Sequence, residues 1–501
     1  MTPGEPILNS PSFIRAVSGI QRRAERQTDL AVLGQLFVRS DLFERVQSPD
    51  SQLILGRRGT GKTHLVRAFQ EHAASHGEPT FYLDCTRLGS GYTSLELPAA
   101  VVAQKYFLAL VNQLGTDLMD EALRLERPDP AVQMSVLKKL IDGLATTLEV
   151  APNPATAPTF NYRQISDIIG QVLEQLKMPR VYVVLDEWAQ VPLESQPFFA
   201  EYIKRGILTV PSVSLKILAV NYQCQLSRRQ NGNLIGLERG ADIPDVIDLD
   251  RYLIYDEKQR FVIDFFGQVL YNHLGNELAW PLELAPDDKR KFIVTRLFTQ
   301  ERAFVELVRA AEGNSRDLLC IFARAFFDEF RRAGTAGAIS IPNVTAAATS
   351  WYDSEKAANV LAEPEAHHTL THIMDRVLKG YKSRTFLVES SKAENSRLIR
   401  LLNERVLHRL NGTYSHPDRP GVRYDLFTVD YGAYARLRAT VNQVQEDVFW
   451  ELDAQKHLSP EQQQSMVPVD DRRSIRRITF DPDSLEVVGE RVDPQLWLRG
   501  M

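Results

Sequence analysis

Eight consecutive residues, Gly56-Arg-Arg-Gly-Thr-Gly-Lys-Thr63, fit the pattern G-x-x-x-x-G-K-[ST] without a gap. Glycines let the backbone curl so that successive N–H groups converge on an anion, and a helix starting there adds the positive end of its dipole. A lysine then reaches the β- and γ-phosphates of a nucleotide, and a threonine hydroxyl ligates Mg²⁺. Gly56, Arg57, Arg58, Gly59, Thr60, Gly61, Lys62, Thr63 and the adjoining His64 are therefore expected to line a bound nucleotide, with Thr63 on the metal. A second reactive stretch, Val181-Tyr-Val-Val-Leu-Asp-Glu187, is an apolar run closed by two carboxylates. Asp186 suits Mg²⁺, held directly or through water, and Glu187 suits the general base that activates an attacking water.

Both stretches need a rigid frame. Gln52–Leu55 reads as a buried strand running into the glycine loop, and the residues from about Lys62 to Ala74 as the helix behind it. Further strands are expected at Pro79–Asp84, Val181–Asp186, Val213–Val220 and Asp245–Leu249, with a helix at Tyr162–Leu176. Strands alternating with helices predict an α/β fold with a parallel sheet covered on both faces. Residues 1–50 read as an N-terminal helical arm and 51–252 as the nucleotide-binding domain, with a helical insertion over about 89–160. Within that insertion, Ala99–Leu114 and Ala131–Leu148 have helical period, and the proline-rich residues 151–159 read as loop. Residues 253–360 turn all-helical, with clear segments at Phe261–Leu274, Lys289–Leu297, Gln300–Ala311 and Ser315–Phe330; residues 366–501 form a further domain.

The chain has 501 residues, 44% hydrophobic and 25% charged, an ordinary globular balance sufficient for several domains. No run of eighteen apolar residues suggests a membrane span, and the N-terminus lacks a signal-peptide layout, so a cytoplasmic protein is expected. Cys85, Cys224 and Cys320 are too scattered for a disulfide framework or a zinc site, and His367–His368 is the only adjacent histidine pair. The net charge of −5 excludes a polybasic nucleic-acid coat and directs attention to local patches.

Taken in order over about residues 10–355, these parts resemble AAA+ ATPases, and within them the origin-recognition and archaeal replication-initiator clade. Gly56–Thr63 stands as Walker A and Asp186–Glu187 as Walker B. The resemblance implies ATP rather than GTP, consistent with the absence of an N-K-x-D motif, and Mg²⁺ as its companion. It places Asn221, after the Val213–Val220 strand, as the sensor-1 residue that orients water against the γ-phosphate. Gly313-Asn-Ser-Arg316 resembles the sensor-2 helix start of a lid, with Arg316 directed to the γ-phosphate. Arg239 occupies the family's arginine-finger region, with Arg228 or Arg229 as alternates; a finger implies a site completed between subunits, hence a homo- or hetero-oligomer. The length of the insertion departs from a minimal AAA+ core, and Arg22–Arg26 are candidates to pack near the base.

An amphipathic helix is expected over 394–410, with Leu398, Leu401, Leu402, Val406 and Leu410 as its apolar stripe. A turn at 417–421 and a strand at Val422–Val429 follow. This order resembles a winged-helix domain. Between residues 371 and 440 there are 13 Lys/Arg against 7 Asp/Glu, a local excess of +6. Arg397, Arg400, Arg405 and Arg409 on the helix, with Arg423 or Arg419 on a wing, are the expected contacts to double-stranded DNA. The expected function is an initiator-like ATPase coupling nucleotide state to DNA or a protein partner. The alternative is a slow nucleotide-gated switch or scaffold, as in signalling or defence complexes, without DNA binding. A protein-remodelling motor is disfavoured by the lack of an evident pore-loop aromatic.

Overall fold

A computed structural model describes residues 7–20, 30–89, 97–124, 160–255, 258–278, 280–281, 284–380, 383–415, 421–440 and 478–485. The expected helix at Ala131–Leu148, the loop at 151–159, Arg22–Arg26 and Arg419 lie outside the described residues. The chain divides into two compact units, Ala24–Leu249 and Met1–Arg23 with Asp250–Met501. The expected N-terminal arm is thereby split. Helix Leu30–Leu36 packs on the helix after the glycine loop in the first unit, whereas Pro11–Gly19 packs on Gln259–Leu278 in the second. Phe13 meets Phe326 edge-on at 5.4 Å there, a contact between residues far apart in sequence.

In the first unit the apolar runs become strands: β1 (Gln52–Leu55), β2 (Thr80–Asp84), β3 (Val181–Asp186) and β4 (Val213–Ala219). β5 (Ser227–Gln230) and β6 (Asn233–Gly236) form a separate antiparallel hairpin, and β7 (Asp245–Asp248) returns to the main sheet. That sheet is parallel throughout, in the order β2-β3-β4-β1-β7. β3 and β4 are buried at every position, as their largely apolar runs predict for central parallel strands, although β4 also buries Ser214 and Lys216. Helices Lys62–Ser75, Ala99–Arg124, Tyr162–Gln175 and Gln196–Gly206 connect the strands. β4 enters between β1 and β3, so the ends of three strands carrying candidate chemistry lie side by side. Ligands of open parallel sheets bind at these carboxyl ends.

The β5–β6 hairpin was not anticipated. Asn231-Gly232 sits at its two-residue turn with φ of 51° and 83°, the positive values that a twist-matched hairpin turn demands. The Asn-Gly pair was the legible signal.

Polar residues enter the sheet interior at Gln52, Ser214 and Lys216, and of these only the last carries a charge. Lys216 on β4 is fully buried, and its ammonium donates to the carbonyls of Ser48 (2.6 Å) and Asp50 (3.0 Å) and to Gln52 Oε1. Desolvation pulls its pKa down to about 7, opposed by Asp245 and Asp50. The unfolded chain, with an ordinary lysine, therefore holds a proton that the folded chain releases between pH 7 and about 10.4. This group's contribution to stability should rise with pH through that window, by about 1.4 kcal/mol per unit. Urea unfolding of wild type and Lys216→Met at pH 7 and 9.5 checks this. Wild type should gain relative to the variant at the higher pH, and a pH-independent difference would contradict it.

In the second unit, helices Gln259–Leu278, Pro286–Leu297, Glu301–Ala311, Ser315–Ala333 and Ile341–Trp351 form a bundle. Helix Pro364–Ile373 then leads into β8 (Thr385–Glu389), helix Ser396–Asn403, β9 (Leu407–Ser415) and β10 (Arg423–Val429), whose sheet order is β8-β10-β9, antiparallel. A buried ionic network ties this module to the bundle. Lys356 bridges Asp317 (2.9 Å) and Asp430 (2.7 Å), Arg405 pairs with Asp317 (2.6 Å), and His408 Nε2 meets Asp430 (2.9 Å). Lys356, Asp317 and Asp430 side chains are each 1–2% exposed.

Candidate functional site

The glycine loop leaves β1 with Gly56 N–H still on the sheet, donating to Ala219 O of β4 (3.1 Å). Gly59 and Gly61 take φ of 92° and 101°, the left-handed region where a side chain is strained, and helix Lys62–Ser75 starts directly after. The Thr60 hydroxyl closes the curl on Arg57 O (2.9 Å). Lys62 Nζ donates to Gly56 O (2.6 Å) and Arg57 O (3.1 Å), so its ammonium lies across the loop. Arg57 is half-buried and Arg58 exposed.

Thr63 Oγ1 donates to Asp186 Oδ2 at 2.8 Å, joining the first turn of the helix to the tip of β3. The other oxygen of Asp186 accepts from Glu187 N–H at 2.7 Å, and the Tyr82 phenol donates to Oδ2 as well. Burial and the neighbouring Asp186 push the Tyr82 phenol well above its ordinary pKa, so it stays protonated. Glu187 adopts a left-handed φ of 52°, which ends the strand and turns the chain into a short 3-10 helix. Burial, then Asp186, raises the Glu187 pKa, while Arg58 and Lys62 oppose the rise. Trp188 behind it is fully buried against Phe199. Asn221 Nδ2 approaches Asp248 Oδ2 at 3.4 Å, and because β1 lies between β4 and β7 this contact spans the strand that carries the loop.

An alcohol and a carboxylate 2.8 Å apart, beside loop amides, are hard oxygen donors of the kind Mg²⁺ takes in small number, completing its shell with water and phosphate. No group of three His, Cys, Asp or Glu that could cage another metal exists among the described residues.

Residues 37–211 match the family model of the AAA ATPase domain. The chain carries an AAA ATPase domain. No curated protein matches the chain. Among solved structures, it is similar to the Drosophila origin recognition complex bound to DNA (11% identity, 83% of this chain and 93% of that chain, TM-score 0.30). It is similar too to the Aeropyrum pernix Orc1 protein in complex with DNA (13% identity, 84% and 95%, TM-score 0.32) and to a Thermotoga maritima RuvB variant (11% identity, 85% and 98%, TM-score 0.33). The family match and the loop geometry carry the assignment; at these scores the structural neighbours add no weight.

Other expected residues fall differently around the AAA ATPase domain. The His64 ring turns to Leu33 O (2.8 Å) and sits 5.5 Å from Phe37, tying the Leu30–Leu36 helix to the loop helix instead of facing the loop. Burial lowers its pKa, so the ring is held neutral. Arg239 is exposed and hydrogen-bonds Cys224. Arg229 is exposed on the hairpin, whereas Arg228 stacks over Phe198 (4.2 Å) and pairs with Glu194 (3.7 Å). In the second unit, Gly313-Asn-Ser-Arg316 forms a capped helix start. Asn314 Oδ1 accepts from the N–H groups of Arg316 and Asp317, which leaves the half-buried Arg316 side chain in the first turn.

The basic helix needs correction. It ends at Asn403, not near Leu410, because Arg405 takes a left-handed φ of 62° and the N–H groups of Arg405 and Val406 bond back to Leu402 O and Leu401 O. Residues 407–410 belong to β9. The arginines expected on one helix meet acceptors of this chain. Arg405 is turned inward to Asp317, Arg400 pairs with Glu363 (2.6 Å) and Glu404 (3.1 Å), and Arg409 pairs with Asp425 (2.8 Å). Arg397 donates to Pro482 O (3.3 Å) and Leu485 O (3.4 Å). Counting residues gave an excess of positive charge; folding brings carboxylates from Asp317, Glu363 and Asp425 to meet it. Arg423 is exposed. Among the described residues no helix is long and apolar enough to cross a membrane.

Proposed function

We propose that this chain binds ATP at Gly56–Thr63 and hydrolyses it, using nucleotide state to control what its C-terminal module engages. The observation that carries this is the direct bond between Thr63 and Asp186 beneath a loop that Lys62 spans. Loop amides and Lys62 bind the phosphates, Glu187 takes the proton of the attacking water, and Asn221 orients that water. Magnesium, held through Thr63 and Asp186, would neutralise charge on the phosphate oxygens. Arg316 is the proposed γ-phosphate sensor, and the exposed Arg239 the proposed finger for a neighbouring subunit.

The C-terminal order of helix, β8, a 3-10 turn at Ser390–Lys392, helix and β9–β10 hairpin supports a winged-helix-like reading. The carboxylate pairing of Arg400, Arg405 and Arg409 favours the second reading, a nucleotide-gated switch whose module docks protein, over one in which that helix grips DNA. Under the DNA reading, Arg423 on the hairpin is the contact that stands. One experiment separates them: nucleotide binding and turnover of the purified chain, with and without double-stranded DNA, at two salt concentrations. Lys62→Ala should abolish ATP binding, and retained affinity would overturn the nucleotide reading. DNA affinity that falls steeply with salt would support initiator-like action; DNA-independent behaviour would support the switch.

A further inference from the structure

Asp186 is held by groups from three directions, and one of them belongs to no motif. β2 and β3 run parallel in register, with Tyr82 opposite Val184 and Asp84 opposite Asp186, so Tyr82 sits two residues short of the strand tip. Its phenol nevertheless extends to Asp186 Oδ2, the same oxygen that accepts from Thr63. Helical spacing puts Thr63 and Arg67 on one face of the loop helix. As Thr63 reaches Asp186, the Arg67 guanidinium lies 3.6 Å from the centroid of the Tyr82 ring and clamps it against that helix. Asp186 is 2% exposed, so water does not compete freely for these bonds.

We propose that Tyr82 is a positioning residue for the magnesium site, orienting the Asp186 carboxylate from the neighbouring strand while Arg67 locks the phenol in place. This rests on the nucleotide-hydrolysis reading of the same site. Thr63 and the Glu187 N–H each hold one oxygen of Asp186, but both sit on elements that meet the ligand, so those bonds are the ones exposed to change when it binds. Tyr82 is anchored elsewhere, on β2, and gives Oδ2 a bond that does not depend on the loop. Partners of this kind, behind a metal ligand, typically contribute about 10–100-fold in metal affinity.

The test is Tyr82→Phe in the full-length chain, which keeps the ring beneath Arg67 and removes only the hydroxyl. The readout is binding of a fluorescent ADP analogue, titrated with Mg²⁺ and then with Mn²⁺, with no turnover required. The variant should need about 10-fold more Mg²⁺ to reach half of the metal-dependent gain in nucleotide affinity. Its affinity in EDTA should match wild type while its thermal midpoint falls slightly for the one buried hydrogen bond removed, and Mn²⁺, which binds oxygen ligands more tightly, should restore part of the loss. An unchanged Mg²⁺ requirement would overturn the proposal, as would an equal loss in EDTA, which would mean a general structural role. Arg67→Met provides a second variant with the hydroxyl intact, and should shift the Mg²⁺ requirement in the same direction by a smaller factor. Failure of the underlying reading looks different: wild type itself would then show no metal-dependent binding, or Lys62→Ala would bind as wild type does.

Discussion

Glu187→Gln should bind ATP with wild-type affinity and turn it over about 10²–10⁴-fold more slowly, the usual contribution of a positioned general base. The substitution keeps size and hydrogen-bonding capacity while removing the only function the proposal assigns to this side chain, proton acceptance. Single-turnover hydrolysis beside equilibrium binding makes the measurement; equal loss in both would mean a structural role. A pH profile adds a sign. Burial and Asp186 raise the Glu187 pKa, and the base works only when ionised. Activity should therefore fall on the acid side at a higher pH than an ordinary glutamate would impose. Arg58 opposes the rise, so Arg58→Ala should move that limb further up. Because Arg58 is exposed, salt should shrink the displacement.

The second large effect concerns stability. Lys356→Met should destabilise the unit formed by the helical bundle and the C-terminal module by about 3–5 kcal/mol, because it strands two carboxylates in the interior. Asp317 and Asp430 are held below the ordinary aspartate range, with Lys356 the largest favourable influence on each against the desolvation that opposes it. Their folded pKa values lie below the unfolded ones. The stability they confer is thus complete above about pH 4 and lost as pH falls through the depressed folded values. Lys356 is raised despite its burial, by Asp317 and Asp430; its contribution is complete below about pH 10 and lost as pH climbs through its raised value. Denaturant unfolding of Lys356→Met and of the double variant Lys356→Met/Asp430→Asn at pH 7 checks the coupling. The double variant should recover part of the loss, and strict additivity would argue that the groups do not interact. Because Asp317 follows Arg316 in the same helix turn, the network also joins the proposed sensor helix to the module that would carry the output.

Much of this was legible from contiguous residues. The glycine loop, the apolar strand ending in Asp186 and Glu187, and the five parallel strands are each local patterns, and short-range sterics and burial periodicity are enough to place them. The two-residue hairpin turn at Asn231-Gly232 was equally local and went unread. Other features depend on which distant segments meet. That β4 lies between β1 and β3, bringing Asn221 beside the loop, follows from sheet pairing over more than a hundred residues. Tyr82 looks like any aromatic on a half-buried strand until the parallel register with β3 brings it to Asp186. The positive charge counted over the expected C-terminal helix is real in the chain, but Arg405 is drawn inward by Asp317, Arg400 meets Glu363, and Arg409, on β9, meets the buried Asp425. The chemistry of a phosphate loop is written in adjacent residues because one turn of backbone performs it. Whether a charge faces solvent or a partner is an energy shared between remote groups, and only the folded chain decides it.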